Sequence, residues 1–151
     1  IQAVGRVEAL HRSAVHHDIH VAMARIEDGS GLSEAAALPI IGRSNKEHLT
    51  GNSTQSAVLL GFAATGHDVA VLLAAGIHIV ASEVPVADLD DMALWLMGTQ
   101  DDLAHELRRV GVTSVDMLQR QHLRALDTET ASVSGLRLAG YGRPLPHWFA
   151  R

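Results

Sequence analysis

The chain of 151 residues contains no cysteine and few aromatic residues. The absence of cysteine excludes disulfide bonds, thiolate metal sites and cysteine nucleophiles. Phe, Trp and Tyr together make up only 3% of the residues, so Ala, Leu and Val must fill the hydrophobic core. Hydrophobic residues account for 47% and charged residues for 19%, which is typical of a globular chain rather than a disordered one.

Basic clusters and long apolar runs are also missing. The 12 Lys and Arg residues are spread along the chain and the formal net charge is -5, so we expect no nucleic-acid partner. No apolar run reaches the roughly 18 to 20 residues that cross a bilayer, because His67, Asp68 and His78 interrupt the most hydrophobic region. We therefore expect no membrane association and a cytoplasmic location.

The opening "IQAVGRVEAL" has neither an initiator Met nor a signal-peptide pattern, which favours a processed product or a piece of a longer protein.

The length fits one domain over residues 1–151, with an N-terminal helix in 1–31, a strand-helix-strand unit in 56–85, and C-terminal helices and tail in 86–151. The first helix is predicted from Gln2 to Asp28, with glycines 29 and 31 ending it. Its apolar residues recur every three to five positions, at Val4, Val7, Leu10, Val15, Ile19, Ala22 and Ile26.

Two weaker patterns follow the first helix. Ser33 can cap a short helix through "EAAALPIIG", although Pro39 leaves an extended ending as an equal alternative. The polar, glycine-bounded stretch 42–52 predicts a surface loop.

The stretch "SAVLLGF", Ser56–Phe62, is an apolar run that fits either a buried parallel strand or a helix. A glycine-bounded turn, about ten helical residues and Gly76 come next, and then "IHIVAS", Ile77–Ser82, which is rich in β-branched residues. This order favours a strand-helix-strand unit with parallel strands.

Helical spacing returns after Pro85. The residues from Leu89 predict one helix, and Thr99 followed by Asp102 predicts a capping box at which a second helix begins. Ser114 predicts a further helix through "VDMLQRQHLRAL", and the Gly- and Pro-rich tail predicts a surface segment without regular structure.

The histidines of "HRSAVHHDIH" are the most conspicuous polar cluster. His16 and His20 are four residues apart, a spacing at which one helix face can offer two imidazoles to a metal ion. A third ligand, such as His48 or a carboxylate, would have to come from elsewhere. A solvated or oligomer-facing histidine patch is the favoured interpretation, and no metal site is predicted.

The turn "GFAATG", Gly61–Gly66, admits two interpretations. Glycines let a chain come close to a phosphate, and backbone N–H groups at the start of the helix that follows can bind it. Thr65 and Asp68 also form a T-x-x-D capping box, which satisfies such N–H groups without a ligand. The residues alone favour capping.

Two segments resemble a known family. "TGHDVAVLLAAGIHIVAS" resembles the segment near the end of the FMN-binding (β/α) barrel of glutamate synthases and related oxidoreductases. "ELRRVGVTSVDMLQRQHLRALDTETASVSGLRLAG" is similar to the C-terminal helices of that family. Together the two segments place the resemblance over residues 56–140.

The resemblance implies that Gly61, Thr65 and Gly66 lie in the turn facing the FMN phosphate, and that His67 and Asp68 open the helix behind it. It also implies a flavin that performs hydride chemistry on a 2-imino acid. The iron–sulfur cysteines of the family have no counterpart here, so no iron–sulfur cluster is expected. The first half of such a barrel does not fit in 151 residues.

Two hypotheses follow. The first is a helix-rich α/β chain, a partial (β/α)-barrel-like unit that holds the FMN phosphate and is either a fragment or a subunit completed by another chain, hence a homo- or hetero-oligomer. The second is an all-α, non-catalytic interaction or assembly module. They differ in whether residues 56–62 and 77–82 are paired strands.

Overall fold

Three parallel strands lie side by side in chain order in the computed structural model, which describes residues 2–26, 41–42, 44–49, 51 and 53–142. Strand β1 is Val21–Ile26, β2 is Gln55–Leu60 and β3 is Ile79–Ala81. The sheet and the helices around it make the chain mixed α/β, so the all-α alternative is wrong.

The predicted strand-helix-strand unit is confirmed. Strand β2 leads into helix α2, Gly66–Ala74, and β3 then pairs with β2 in parallel, with Ala57 opposite Ile79. Residues 57–60 of β2 form an apolar run because a parallel strand is covered on both faces, and Val58 is completely buried.

The predicted N-terminal helix is wrong in its second half. Helix α1 is Gln2–His16, and the chain then turns through Asp18, whose φ of 51° lies in the left-handed region. The residues of β1 fit the helical spacing, but they pair with β2 along its whole length, from Val21 opposite Gln55 onward. Pairing with a distant strand outweighs a local pattern of this kind. Glycines 29 and 31 and the segment capped by Ser33 lie outside the described residues.

The stretch predicted as a surface loop at 42–52 is partly helical and buried. Residues 41–42 and 44–48 are helical, and Ile41 and Leu49 are both buried. Gly42 allows this packing, because a Cβ at that position would collide with the carbonyl oxygen of Ala75 at the end of α2. A local pattern cannot reveal a contact made with a residue so far along the chain.

Helix α3 runs unbroken from Leu89 to Val110, so the predicted second start at Thr99 is wrong. The side chain of Asp88 caps it by accepting the N–H of Asp90 at 2.7 Å. Thr99 donates its hydroxyl to the carbonyl oxygen of Trp95 at 2.9 Å, as a Thr inside a helix does. Gly111, with φ of 79°, ends the helix in a left-handed cap.

The helix predicted from Ser114 is also wrong. Ser114 caps only a single 3₁₀ turn, Val115–Met117, and a second one follows at Arg120–His122. Leu118 and Leu123 have extended backbones between and after these turns, and both side chains line a cavity beside α2. Helix α4 is Thr128–Ser134, within the stretch 86–151 for which C-terminal helices and a tail are predicted. Residues 143–151 of the predicted tail lie outside the described residues.

Two hydrophobic clusters hold the molecule together. The larger joins β2, α2 and neighbouring turns and contains Ile41, Val58, Leu60, Ala64, Leu72, Ala75 and Ile77. The smaller surrounds α4 and contains Ala125, Ala131, Leu136 and Leu138. Among the described residues, Leu123 is the side chain that packs against both clusters.

Candidate functional site at the carboxyl edge of the sheet

The turn from β2 to α2 forms the carboxyl edge of the sheet. Ala64 within the turn is buried and anchors it in the core. The N–H of Glu83, just after β3, donates to the carbonyl oxygen of Phe62 at 3.2 Å. The loops that follow the two neighbouring strands are therefore tied to each other.

The predicted capping box is confirmed. The N–H of Asp68 donates to Thr65 Oγ1 at 3.2 Å, and the N–H of Thr65 donates to Asp68 Oδ2 at 2.8 Å. The Thr65 hydroxyl also donates to Asp68 Oδ2, at 2.7 Å. The first turn of α2 thus satisfies two of its N–H groups with its own side chains.

Gly66 has a packing function at the start of α2. It is buried, and a Cβ on it would lie 2.2 Å from the backbone nitrogen of Leu103 in α3. Only glycine lets the two helices approach this closely. The hydrogens of Gly66 therefore face a neighbouring helix.

His67 points toward α3 as well. Its Nδ1 lies 3.6 Å from Oε2 of Glu106, and the same carboxylate accepts a hydrogen bond from Arg109 at 2.9 Å. Burial raises the pKa of Glu106, but the hydrogen bond and charge of Arg109, together with His67, outweigh that effect and leave the pKa below its ordinary value.

The structure brings the four predicted site residues together in one turn. Gly61 and Thr65 are exposed, Gly66 is buried, and His67 is exposed. The first N–H groups of any α-helix have no partner within the helix, which leaves those of Gly66 and His67 at the positive end of α2. The arrangement can therefore offer an anion two backbone donors.

A cavity of about 520 Å³, which the sequence does not predict, lies between α2, the second half of α3 and residues 118–136. Its apolar wall includes Ala70, Val71 and Leu123, and its polar lining includes His67, Asp68, Glu106, Arg124 and Asp127. The hydrogen bonds from the backbone and hydroxyl of Thr130 hold the pKa of Asp127 below its usual value. The i, i+3 spacing of Glu106 and Arg109 is a sequence signal near this cavity, beside the capping box that includes Asp68.

Polar side chains also pack at the amino edge of the sheet. Ser56 is fully buried, and its Oγ lies 3.3 Å from Nδ1 of His78 at the start of β3. Asn45 donates from its amide to the carbonyl oxygen of Gly76. These contacts join β2, the end of α2 and the helical segment at residue 45. A structural role therefore explains these polar side chains.

A buried histidine links α1 to the same helical segment. Nδ1 of His11 lies 3.0 Å from Oγ of Ser44, and both side chains are buried. Burial lowers the pKa of His11, a hydrogen bond with the backbone of Ser44 raises it by less, and the nearby His48 lowers it further. The net effect favours the neutral imidazole relative to an exposed histidine.

The predicted histidine pair is not arranged as expected. His16 is the last residue of α1, whereas His20 lies beyond the turn at Asp18, so the two do not share one helix face. Within the part of the chain that the structure describes, no three His, Asp or Glu side chains converge as metal ligands.

None of the described helices is both long and apolar enough to cross a membrane. Comparison of the chain with protein-family models, curated proteins and solved structures gave no match.

Proposed function

We propose that this chain is the FMN-phosphate-holding portion of a glutamate-synthase-like flavin oxidoreductase, and that another chain completes its barrel. The observation that carries the proposal is the parallel β2–α2–β3 unit, with the turn at residues 61–65 on the carboxyl edge of its sheet. Ligands of α/β barrels and open α/β sheets bind at that edge. The order of strand, turn, helix and strand is also the order in the family that the sequence resembles.

The open sheet supports the need for a second chain. Among the described residues, β1 and β3 each pair with a neighbour on one side only. A (β/α) barrel requires eight parallel strands, whereas the described part of the chain contains three. Met23 on β1 is 47% exposed, which is unusual for a parallel strand whose faces are normally covered.

The turn fits a phosphate through its backbone. The N–H groups of Gly66 and His67 would donate to the phosphate oxygens at the positive end of α2. The carboxylate of Asp68 opposes an anion there, because it lies in the same turn. FMN, when bound, would supply the hydride chemistry, and this chain would hold and orient it.

A flavin titration tests the proposal directly. Purified protein is examined for absorbance between about 350 and 500 nm, and FMN fluorescence is followed as protein is added. We expect quenching of FMN at tens of micromolar and much weaker quenching of riboflavin, which lacks the phosphate. Equal affinity for both flavins, or no quenching of either, would remove the phosphate site from this turn.

Asp68→Asn is the most informative variant for testing the phosphate site. It removes one negative charge from the turn while the amide oxygen still accepts the Thr65 N–H, so the affinity for FMN should rise several-fold. Riboflavin affinity should not change. Asp116→Asn is the matched control, because it removes an exposed carboxylate outside the turn and should leave both affinities unchanged.

Gly66→Val does not separate binding from packing. The added side chain would strike the backbone of Leu103 whether or not a phosphate binds. Loss of FMN affinity in that variant would therefore follow from displacement of α3 alone.

A non-catalytic interaction module is the second candidate. The observation in its favour is α3, a 22-residue helix in which no residue is buried and in which Leu89 is 76% exposed. Exposed apolar surface of this kind marks interaction sites. A chain that binds a partner but no flavin would support this candidate over the first.

A further inference from the structure

The first half of α3 carries two adjacent rows of exposed residues. One row consists of Leu89, Ala93 and Leu96, and the other of Asp90, Leu94, Met97 and Asp101. Leu94 is 66% exposed and Met97 62% exposed. Steps of three and four residues align each row along the helix. We call the second row, Asp90, Leu94, Met97 and Asp101, the outer face of α3.

The start of α2 packs against the opposite side of α3, at Asp102 and Leu103. Trp95, Thr99 and Leu103 are half-buried on that side, and Gly66 of α2 touches the backbone of Leu103. This contact fixes the rotation of α3 about its axis. The outer face is therefore the side turned away from α2.

Charge around the outer face has one sign. Residues 83–106 contain seven acidic residues and no Lys or Arg: Glu83, Asp88, Asp90, Asp91, Asp101, Asp102 and Glu106. In the second row, Asp90 and Asp101 stand at the two ends of the apolar pair Leu94 and Met97. With a rise of about 1.5 Å per residue, the two aspartates are roughly 16 Å apart along the helix axis.

We propose that the outer face of α3 binds a basic amphipathic helix of a partner chain. Such a helix would place Leu or another apolar side chain on Leu94 and Met97, and a Lys or Arg beside Asp90 and beside Asp101. The two basic residues would be eleven positions apart, because that spacing matches the separation of the aspartates.

The same charges disfavour two other occupants. A second copy of the chain packed on itself through α3 would oppose acidic residues to acidic residues, which is repulsive. An anionic lipid surface would also repel this helix. The acidic residues attract a cationic protein segment instead.

This inference shares with the proposed function only the need for a partner chain. It does not depend on FMN, because the outer face belongs to a different helix from the turn at Gly66. Flavin titration and peptide titration therefore fail or succeed separately.

The methionines of the full chain report binding residue by residue. Protein labelled with ¹³C at the methionine methyl groups is titrated with a synthetic amphipathic peptide that has Lys at positions i and i+11 and Leu at i+4 and i+7. The methyl signal of Met97 should shift. The signals of Met23 and Met117, which are 47% and 49% exposed but lie outside α3, should not. Equal shifts of all three signals would overturn the proposal, as would the absence of any shift.

Calorimetry with variants measures the two contributions separately. Asp90→Asn with Asp101→Asn should weaken peptide binding at least ten-fold and reduce its dependence on salt. Leu94→Ser with Met97→Ser should weaken it similarly. The matched control, Met117→Ser with Leu126→Ser, removes exposed apolar side chains elsewhere and should change nothing. Circular dichroism checks that every variant keeps its helices.

Three other outcomes contradict the proposal. A peptide with Glu in place of Lys that binds equally well would exclude charge recognition. Sedimentation in which the chain alone forms a dimer, which Leu94→Ser with Met97→Ser dissolves, would assign the face to a second copy. Peptide binding that appears only after Arg143→Glu with Arg151→Glu would assign it to the basic end of this chain.

Discussion

Gly66 and Gly98 are both helical glycines, but their surroundings differ. A methyl group on Gly66 would lie 2.2 Å from the backbone of Leu103, whereas one on Gly98, within α3, would meet nothing within 4 Å. Gly66→Ala should lower the free energy of unfolding by about 1 to 3 kcal/mol through overpacking. Gly98→Ala should raise it by about 0.5 to 1 kcal/mol, because Ala loses less backbone entropy in a helix.

Chemical denaturation of the two variants tests this contrast. Equal stability of Gly66→Ala and the unchanged protein would mean that α2 and α3 do not approach closely at this point. Gly98→Ala serves as the control, since it makes the same chemical change at an exposed site.

His11 makes stability depend on pH. Its pKa in the folded protein lies below the unfolded value of about 6.5, so the unfolded state binds the proton more readily. Stability from this residue is complete above the unfolded pKa and is lost as the pH falls toward the folded pKa, by at most about 1.4 kcal/mol per pH unit. Ser44 and His48 are the polar groups that act on it.

Denaturation at pH 7.5 and pH 5.0 measures the effect. The unchanged protein should lose more stability between the two pH values than His11→Gln, which has no proton to gain. The same loss in both proteins would assign the pH dependence to other groups.

Single residues were predictable where their partners are near in sequence. The capping box of Thr65 and Asp68 spans three residues, so its pattern was sufficient. The contact of Gly66 with Leu103 joins two helices, and that of Gly42 with Ala75 spans a comparable distance. No local rule links such positions, which is why Gly66 was interpreted from its turn alone.

Helix α3 begins at the cap formed by Asp88 and not at Thr99. Asp88 caps it, whereas Thr99 lies inside it. Asp88→Ala should lower the free energy of unfolding by about 1 kcal/mol, the usual cost of losing an N-cap. Thr99→Ala should change it little, because Ala favours a helix interior. A larger loss for Thr99→Ala than for Asp88→Ala, measured by denaturation, would place a helix start at Thr99 after all.

Elements with strong boundaries were predictable and the others were not. The unit of β2, α2 and β3 was predicted, because glycines and a change in periodicity mark its ends. The sequence predicts helix for strand β1, because its residues are almost all apolar and do not alternate with polar ones, and the helical pattern continues through them. The 3₁₀ turns after Ser114 begin with the same cap as a helix, so their length could not be predicted.

For the whole molecule, the class of fold followed from the sequence, whereas the arrangement of its parts did not. The cavity beside α2 is formed by side chains from α2, α3 and residues 118–136. Bringing these segments together depends on packing between distant elements. The outer face of α3 is likewise defined by the packing of α2 on the opposite side of the helix, which no local sequence pattern shows.

Among the described residues, Leu123 is the side chain through which the two hydrophobic clusters meet, so we expect the region around α4 to unfold locally as a separate unit. Amide protons of α4 should exchange with solvent faster than those of β2, as hydrogen–deuterium exchange followed by mass spectrometry would detect. Leu123→Ala should speed exchange in α4 and leave β2 unchanged. Equal acceleration in both elements would show instead that the two clusters unfold together. Opening of that unit would expose the apolar wall of the cavity without melting the sheet.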